Sequence, residues 1–188
     1  MATSDEDLMR LVQTGQLAVF EELVHRYRAA LVRVAASKLG DRQVAEDVVQ
    51  EALLAAFAAR QTFNPAYKFR TWLWTIALRL CQKQWQRSQG PQRSLVKANS
   101  PVVHNATVDG PHGLQSLLSV ERAELLQQAL DVLPEAEADA LRLRFFGGLP
   151  FEDIAAAMNS SVSGAKQRVK HGLARLAERL QTLSGVES

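Results

Sequence analysis

The chain has 188 residues, 47% of them hydrophobic and 22% charged, with a formal net charge of +2. These values fit an ordinary soluble globular protein of one large or two small domains, and no apolar run approaches the ~20 residues that cross a bilayer. The single cysteine, Cys81, excludes an internal disulfide and a cysteine-cluster zinc site and reads as a small apolar residue in a helix.

The pattern is helical nearly throughout. Ser4 is placed as an N-cap, with Asp5, Glu6 and Asp7 in the first turn, where the helix dipole favours negative charge. This acidic start has no apolar core, so it does not read as a secretory signal, and a cytoplasmic protein is expected. The stripe Leu8, Leu11, Val12 ends near Gly15. A second helix carries Phe20, Leu23, Val24, Tyr27, Leu31 and Val34 at three- and four-residue spacing and stops at Gly40. Asp41 can cap a third helix, with Val44, Val48, Ala52 and Phe57 in its stripe. Asn64-Pro65 breaks it, and a fourth helix is predicted from about Arg70 to Arg87. Four helices with short connections can bury a core of their own.

Residues 88–118 are rich in Pro, Gly and small polar residues without a sustained period, which predicts a flexible or extended linker. Helical periodicity returns with Leu117, Leu118, Val120, Leu125, Leu126 and Leu130. Pro134 can start a helix that continues through Leu141, Leu143, Phe145 and Phe146 to Gly147-Gly148, and Pro150 opens a short one. After the polar knot Asn159-Ser160-Ser161, a long last helix places Val162, Ala165, Val169, Leu173, Leu176 and Leu180 on one face. The expected fold is all-α: two small helical domains, 1–88 and 117–188, joined by a linker at 89–116.

Charge is separated into blocks. Residues 67–98 carry seven basic and no acidic side chains, whereas residues 121–160 carry three basic and eight acidic ones. Two basic blocks separated by acidic ones point to a polyanion on some surfaces and a different partner on others. In the last helix Lys166, Arg168, Lys170, His171 and Arg175 surround the apolar stripe, with no acid from Ser160 through Ala177. A short helix, a tight turn and a longer basic helix make a helix-turn-helix, whose second helix enters a major groove, capped by Ser161 or Ser163. The alternative is an amphipathic helix with a solvated basic face. The candidate DNA-reading residues are Ser163, Lys166, Gln167, Arg168, Lys170 and His171.

The other basic block, "KFRTWLWTIALRLCQKQWQR", mixes cations with aromatic rings. Phe69, Leu73, Ile76, Ala77 and Leu80 form a core stripe; Trp74, Leu78, Cys81 and Trp85 form a neighbouring one. Rings beside cations suit single-stranded nucleic acid. Tryptophans at helical spacing are more commonly core, which is the readier reading for Trp72 and Trp74 and leaves Trp85 open. The candidates are Phe63, Lys68, Arg70, Trp74, Arg79, Lys83 and Arg87.

Four segments, in order, resemble a known family: "VFEELVHRYRAAL", "GDRQVAEDVVQE", "FRTWLWTIA" and "LPEAEADALRLRFFGGLPFEDIAAAM". Together they resemble bacterial sigma factors of the extracytoplasmic-function (ECF) group, the minimal two-domain form. The resemblance implies a first domain that binds and melts the minus-ten promoter element and a second that reads the minus-thirty-five element. It also implies that Asp47, Gln50 and Glu51 contact the β′ clamp helices of RNA polymerase core. The domain holding Glu135, Glu137 and Asp139 would sit on the β flap, and an anti-sigma factor is a further implied partner; no cofactor, catalytic residue or metal site is implied. This chain departs from the family at Arg79, where asparagine is common, and in "VSGAKQR" from Val162, where "VGTVKSR" is typical. Gly172 in the last helix costs about 1 kcal/mol of helix propensity relative to alanine. A transcriptional regulator acting without polymerase would need a sensor or dimerisation surface, and neither is found. An enzyme is opposed by the scatter of His25, His104, His112 and His171 and by the lack of a Gly-rich phosphate loop.

Overall fold

The computed structural model describes residues 3–88 and 113–184, and no strand occurs among the described residues. Helix α1 (Asp5–Gln13) starts at Ser4, whose hydroxyl accepts the Asp7 amide at 3.1 Å. Gly15, at φ 104°, turns the chain into a single 3₁₀ turn (Leu17–Val19) that feeds α2 (Phe20–Leu39). Gly40 ends α2 in the left-handed region at φ 71°, donating to the Ala36 carbonyl. Asp41 then caps α3 (Arg42–Ala58), its carboxylate accepting from the Gln43 and Val44 amides at 2.8 and 3.1 Å. The caps expected at Ser4, Gly40 and Asp41 are all made.

Helix α4 (Phe69–Ser88) starts next to the predicted Arg70 and lies across α2 and α3. Its first amide, on Phe69, donates to the Glu6 carboxylate at 2.8 Å, so α1 caps α4 across the domain. The buried residues of α4 are Phe69, Leu73, Trp74, Ala77 and Cys81, one seam drawn from both predicted stripes; Ile76, Leu78 and Leu80 pack at its margin.

The second domain comprises α5 (Gly113–Asp131), α6 (Glu135–Leu141), a π-helical turn (Arg142–Phe146), α7 (Phe151–Ala157) and α8 (Val162–Ser184). The linker expected at 89–116 lies outside the described residues as far as position 112, while positions 113–116 belong to α5. Helix α6 packs on α8, and α7 packs on both α8 and α4. Buried side chains of the two domains therefore join into one continuous core.

The seam between the domains also carries buried ion pairs and hydrogen bonds. Lys38, on α2, donates to Glu135 at 2.9 Å and to both oxygens of Asp139 at 2.8 and 2.6 Å. Arg142 adds contacts to Asp139 at 3.3 Å and Asp131 at 3.4 Å. The Gln127 amide donates to the Ser37 carbonyl at 2.6 Å, and Arg33 donates to the Phe146 carbonyl at 3.3 Å. Lys38, Asp139 and Arg142 are all buried. Buried charges of this kind persist only when each is paired.

Candidate nucleic-acid and polymerase interfaces

On α3 the core takes Val48, Val49, Ala52 and Leu53, which turns Asp47, Gln50 and Glu51 outward. Leu54 extends the same face at i+7 from Asp47 and is 61% exposed. The three polar side chains make no hydrogen bond or ion pair among the described residues. A bare acidic and amide face with an exposed leucine at its end suits a protein partner. Sequence reasoning missed Leu54, although it lies off the predicted buried stripe, and that was the available signal.

The aromatic segment before and within α4 is built inward. Phe63 is only 4% exposed, with its ring 5.7 Å from Phe69 and 5.3 Å from Trp72. Its carbonyl accepts from the Gln13 side chain at 2.8 Å. Trp74 is 2% exposed, and its ring lies against Gly147 of the second domain. The expectation that Phe63 and Trp74 face DNA is corrected: both rings complete cores, because an apolar ring gains more from burial than a solvated surface returns. Trp85 is half-buried, with the Lys38 ammonium 5.5 Å from its ring centre.

Within this segment, the exposed ring is Tyr67, in the turn that the Asn64 side chain braces by accepting the Ala66 amide at 2.9 Å. Tyr67 stands beside exposed Lys68 and Arg70. The Tyr27 hydroxyl donates to Asp5, and its proximity is the chief cause that raises the pKa of the Arg70 guanidinium. Burial, followed by the bond to Asp5, pushes the Tyr27 phenol upward as well. Further along, Arg79, Lys83 and Arg87 stand exposed at four-residue intervals, forming a basic row on α4.

In the second domain, Pro150 precedes α7, and Asn159 takes the left-handed conformation at φ 50° to close the turn. The Ser161 hydroxyl accepts the Gly164 amide at 3.0 Å, so Ser161 is the cap of α8 and Ser163 stands exposed in its first turn. Ala165 and Val169 are buried, which turns Lys166, Gln167, Lys170 and His171 to the surface. Arg168 is half-buried, its Nη1 enclosed without a hydrogen-bond partner. Lys166 leans over the Phe151 ring, 5.8 Å from its centre. The apolar stripe departs from expectation at one point. Gly172 is buried and Leu173 is 42% exposed, because α6 approaches so closely that a Cβ on Gly172 would lie 3.0 Å from a Leu141 methyl.

The geometry is that of two helical domains with an outward acidic and amide face, a basic row and a helix-turn-helix. Residues 23–90 match Sigma-70 region 2 and residues 123–176 match Sigma-70 region 4. The chain is 32% identical over 187 residues to the RNA polymerase sigma-H factor of Pseudomonas aeruginosa, covering 95% of each chain. It is 28% identical over 187 residues to the ECF RNA polymerase sigma-E factor of Haemophilus influenzae, covering 96% of this chain and 97% of that one. Among solved structures, RpoE of Bartonella quintana in complex with the anti-sigma factor NepR has a TM-score of 0.65 at 26% identity, over 90% of this chain and 98% of that one. CnrH in complex with the cytosolic domain of CnrY shares the fold, with a TM-score of 0.73 at 22% identity over 99% and 100% of the two chains.

The chain belongs to the RNA polymerase sigma factors of the sigma-70 family, in the ECF group. It is a transcription initiation factor that binds core polymerase and promoter DNA and directs promoter-specific transcription. Among the described residues no helix is long and apolar enough to cross a membrane, and no cluster of side chains could hold a metal.

Proposed function

We propose that residues 1–88 hold core polymerase and open the minus-ten element, that 89–116 link the domains, and that 117–188 read the minus-thirty-five element. The observation that carries this division is the separation of three outward faces: Asp47-Gln50-Glu51-Leu54 on α3, the basic row of α4, and the first turns of α8. On this reading the α3 face seats on the β′ clamp helices. Lys68, Arg70, Arg79, Lys83 and Arg87 follow the strand backbone, with Tyr67 available to an unstacked base. Ser163, Lys166, Gln167, Lys170 and His171 meet the upstream element, with Arg168 partly engaged in the fold.

The second domain docks on the β flap through the open groove lined by Val132, Leu133, Pro134, Arg175, Glu178 and Arg179. Action on polymerase and chromosomal DNA places the protein in the cytoplasm. The resemblance to RpoE, solved with NepR, supports an anti-sigma protein that antagonises this chain.

Run-off transcription with core polymerase, followed by start-site mapping and permanganate footprinting, tests the reading. Arg79→Ala is expected to lose thymine reactivity in the opened region and to recover part of its activity on a template mismatched there in advance. Arg79→Asn is expected to change base preference more than total output. Wild-type footprints from Arg79→Ala and Lys83→Ala alike would remove the α4 row from melting.

A further inference from the structure

The start of α4 and the start of α7 meet at one carboxylate. Asp153, 2% exposed, accepts the Thr71 hydroxyl at 2.7 Å on one oxygen. The Lys68 ammonium lies 3.9 Å from that same oxygen, and an Arg70 nitrogen lies 3.7 Å from the other. That second oxygen is enclosed and accepts no hydrogen bond. A buried carboxylate that leaves one oxygen unsatisfied is costly. Its surroundings are those of an anion site: an ammonium, a guanidinium and a hydroxyl converging from one domain on a charge supplied by the other.

We propose that Lys68, Arg70 and Thr71 form a site for a nucleic-acid backbone phosphate, and that Asp153 fills this site when the two domains are docked. The inference rests on the reading of the α4 block as a DNA contact and adds a competitor to it. A phosphate offers more acceptor oxygens than Asp153 and can satisfy all three donors at once. Docking and strand binding therefore exclude each other at this point. The α3 face stays bare in the docked chain, so polymerase can engage it before the phosphate site is released. The Lys38 cluster holds the same two domains together at a distance from the site. It supplies a second way to undock them without touching Lys68, Arg70 or Thr71.

The test uses the full chain, a short fluorescein-labelled single-stranded oligonucleotide read by anisotropy, and small-angle scattering for domain separation. Asp153→Asn keeps the side-chain shape and removes the charge. It is expected to enlarge the radius of gyration and tighten oligonucleotide binding about tenfold, the scale of one close charge pair. Lys38→Met should do the same from the other end of the seam, which guards against a folding defect peculiar to position 153. In the Thr71→Val background the gain from Asp153→Asn should shrink.

Two undocked variants with unchanged oligonucleotide affinity would overturn the competition, as would a wild-type chain already extended in solution. The underlying reading fails separately. If Lys68→Ala and Arg70→Ala bind the oligonucleotide as tightly as their parent in the Asp153→Asn chain, the block is not a DNA contact at all. If they weaken it while Asp153→Asn changes nothing, the DNA contact stands and only the competition falls.

Discussion

Helices α4 and α8 carry the two basic blocks, and their charges face different surroundings. On α8, Lys166, Gln167, Lys170 and His171 stand at the surface over a thin apolar strip. On α4 the cations nearest the start share Asp153, and the rings between them are buried. One short helix accounts for both arrangements: α7 braces α8 within its own domain and docks on α4 across the seam. A count of charges locates a basic block; the element packed against it decides which of those charges a ligand meets.

The largest way to break the comparison is at Gly147. A Cβ there would lie 2.7 Å from the Leu143 carbonyl oxygen, 2.8 Å from a Leu149 methyl and 3.2 Å from the Trp74 ring. Backbone cannot yield as a side-chain tip can, so Gly147→Ala should destabilise the chain by about 3 kcal/mol. Both the π-helical turn, which packs on α2, and the seat of the Trp74 ring against Gly147 should be affected. Urea denaturation gives the stability, and a rise in Trp exposure by fluorescence quenching would mark the undocking of Trp74. An unchanged midpoint would mean that the Trp74 ring does not lie against Gly147 as described.

Gly172→Ala is expected to come next, and its sign is the informative part. Helix propensity alone predicts a gain of about 1 kcal/mol. The close approach of Leu141 at 3.0 and 3.1 Å predicts instead a net loss of about 1–2 kcal/mol as α6 is pushed off α8. A raised urea midpoint would show that α8 has room against α6 and would put Leu173 back on the inner face.

Gly172 marks where the sequence stops being sufficient. Helix positions, caps and the helix-turn-helix were legible because they depend on local chemistry: Ser4, Asp41, the Gly40 stop and the Pro150 start are properties of a few adjacent residues. Asp47, Gln50 and Glu51 were singled out by the family resemblance, and all three lie on the exposed face of α3. Periodicity misassigned Leu173, because a glycine scores as a gap in an apolar stripe when it is the point of closest helix approach. Phe63 was misassigned for a related reason, as was Trp74 where it was counted among the DNA candidates, although core was already its readier reading. A ring beside cations has the same local signature whether it faces a base or a neighbouring helix, and only packing separates the two. The partners of Lys38 lie 97 and 101 residues away, beyond any local pattern.

A smaller effect sharpens the contrast between two exposed lysines, one facing solvent alone and one 3.9 Å from a buried carboxylate. Lys170 stands free on α8, so Lys170→Ala should lower the salt slope of nonspecific DNA binding by about one unit in the free chain. Lys68→Ala should lower it by less in the docked wild-type chain and by about one unit once Asp153→Asn has released the site. Equal slopes for the two lysines in the wild-type background would mean that Asp153 does not hold Lys68 from solvent anions.

The smallest expected effect concerns the inner face of α4. Burial, the largest cause, pushes the Cys81 thiol up to about 12; Asp139 across the seam adds to this and Lys38 opposes it. At about pH 8 the thiolate is then suppressed roughly a thousandfold relative to a thiol with the reference value of 9.0. Iodoacetamide should therefore label Cys81 at the rate of unfolding, and the rate should rise with urea. The same shift has a stability consequence with a definite sign. The folded value lies above the unfolded one, so the native chain retains a proton that the unfolded chain releases. The contribution is complete below about pH 9 and is lost as pH rises toward 12. Wild-type protein should lose more stability between about pH 8 and pH 10 than Cys81→Ala, by about 1 kcal/mol. Identical losses in the two chains, together with fast labelling of the folded protein, would place Cys81 in solvent and open the seam that α4 shares with α2.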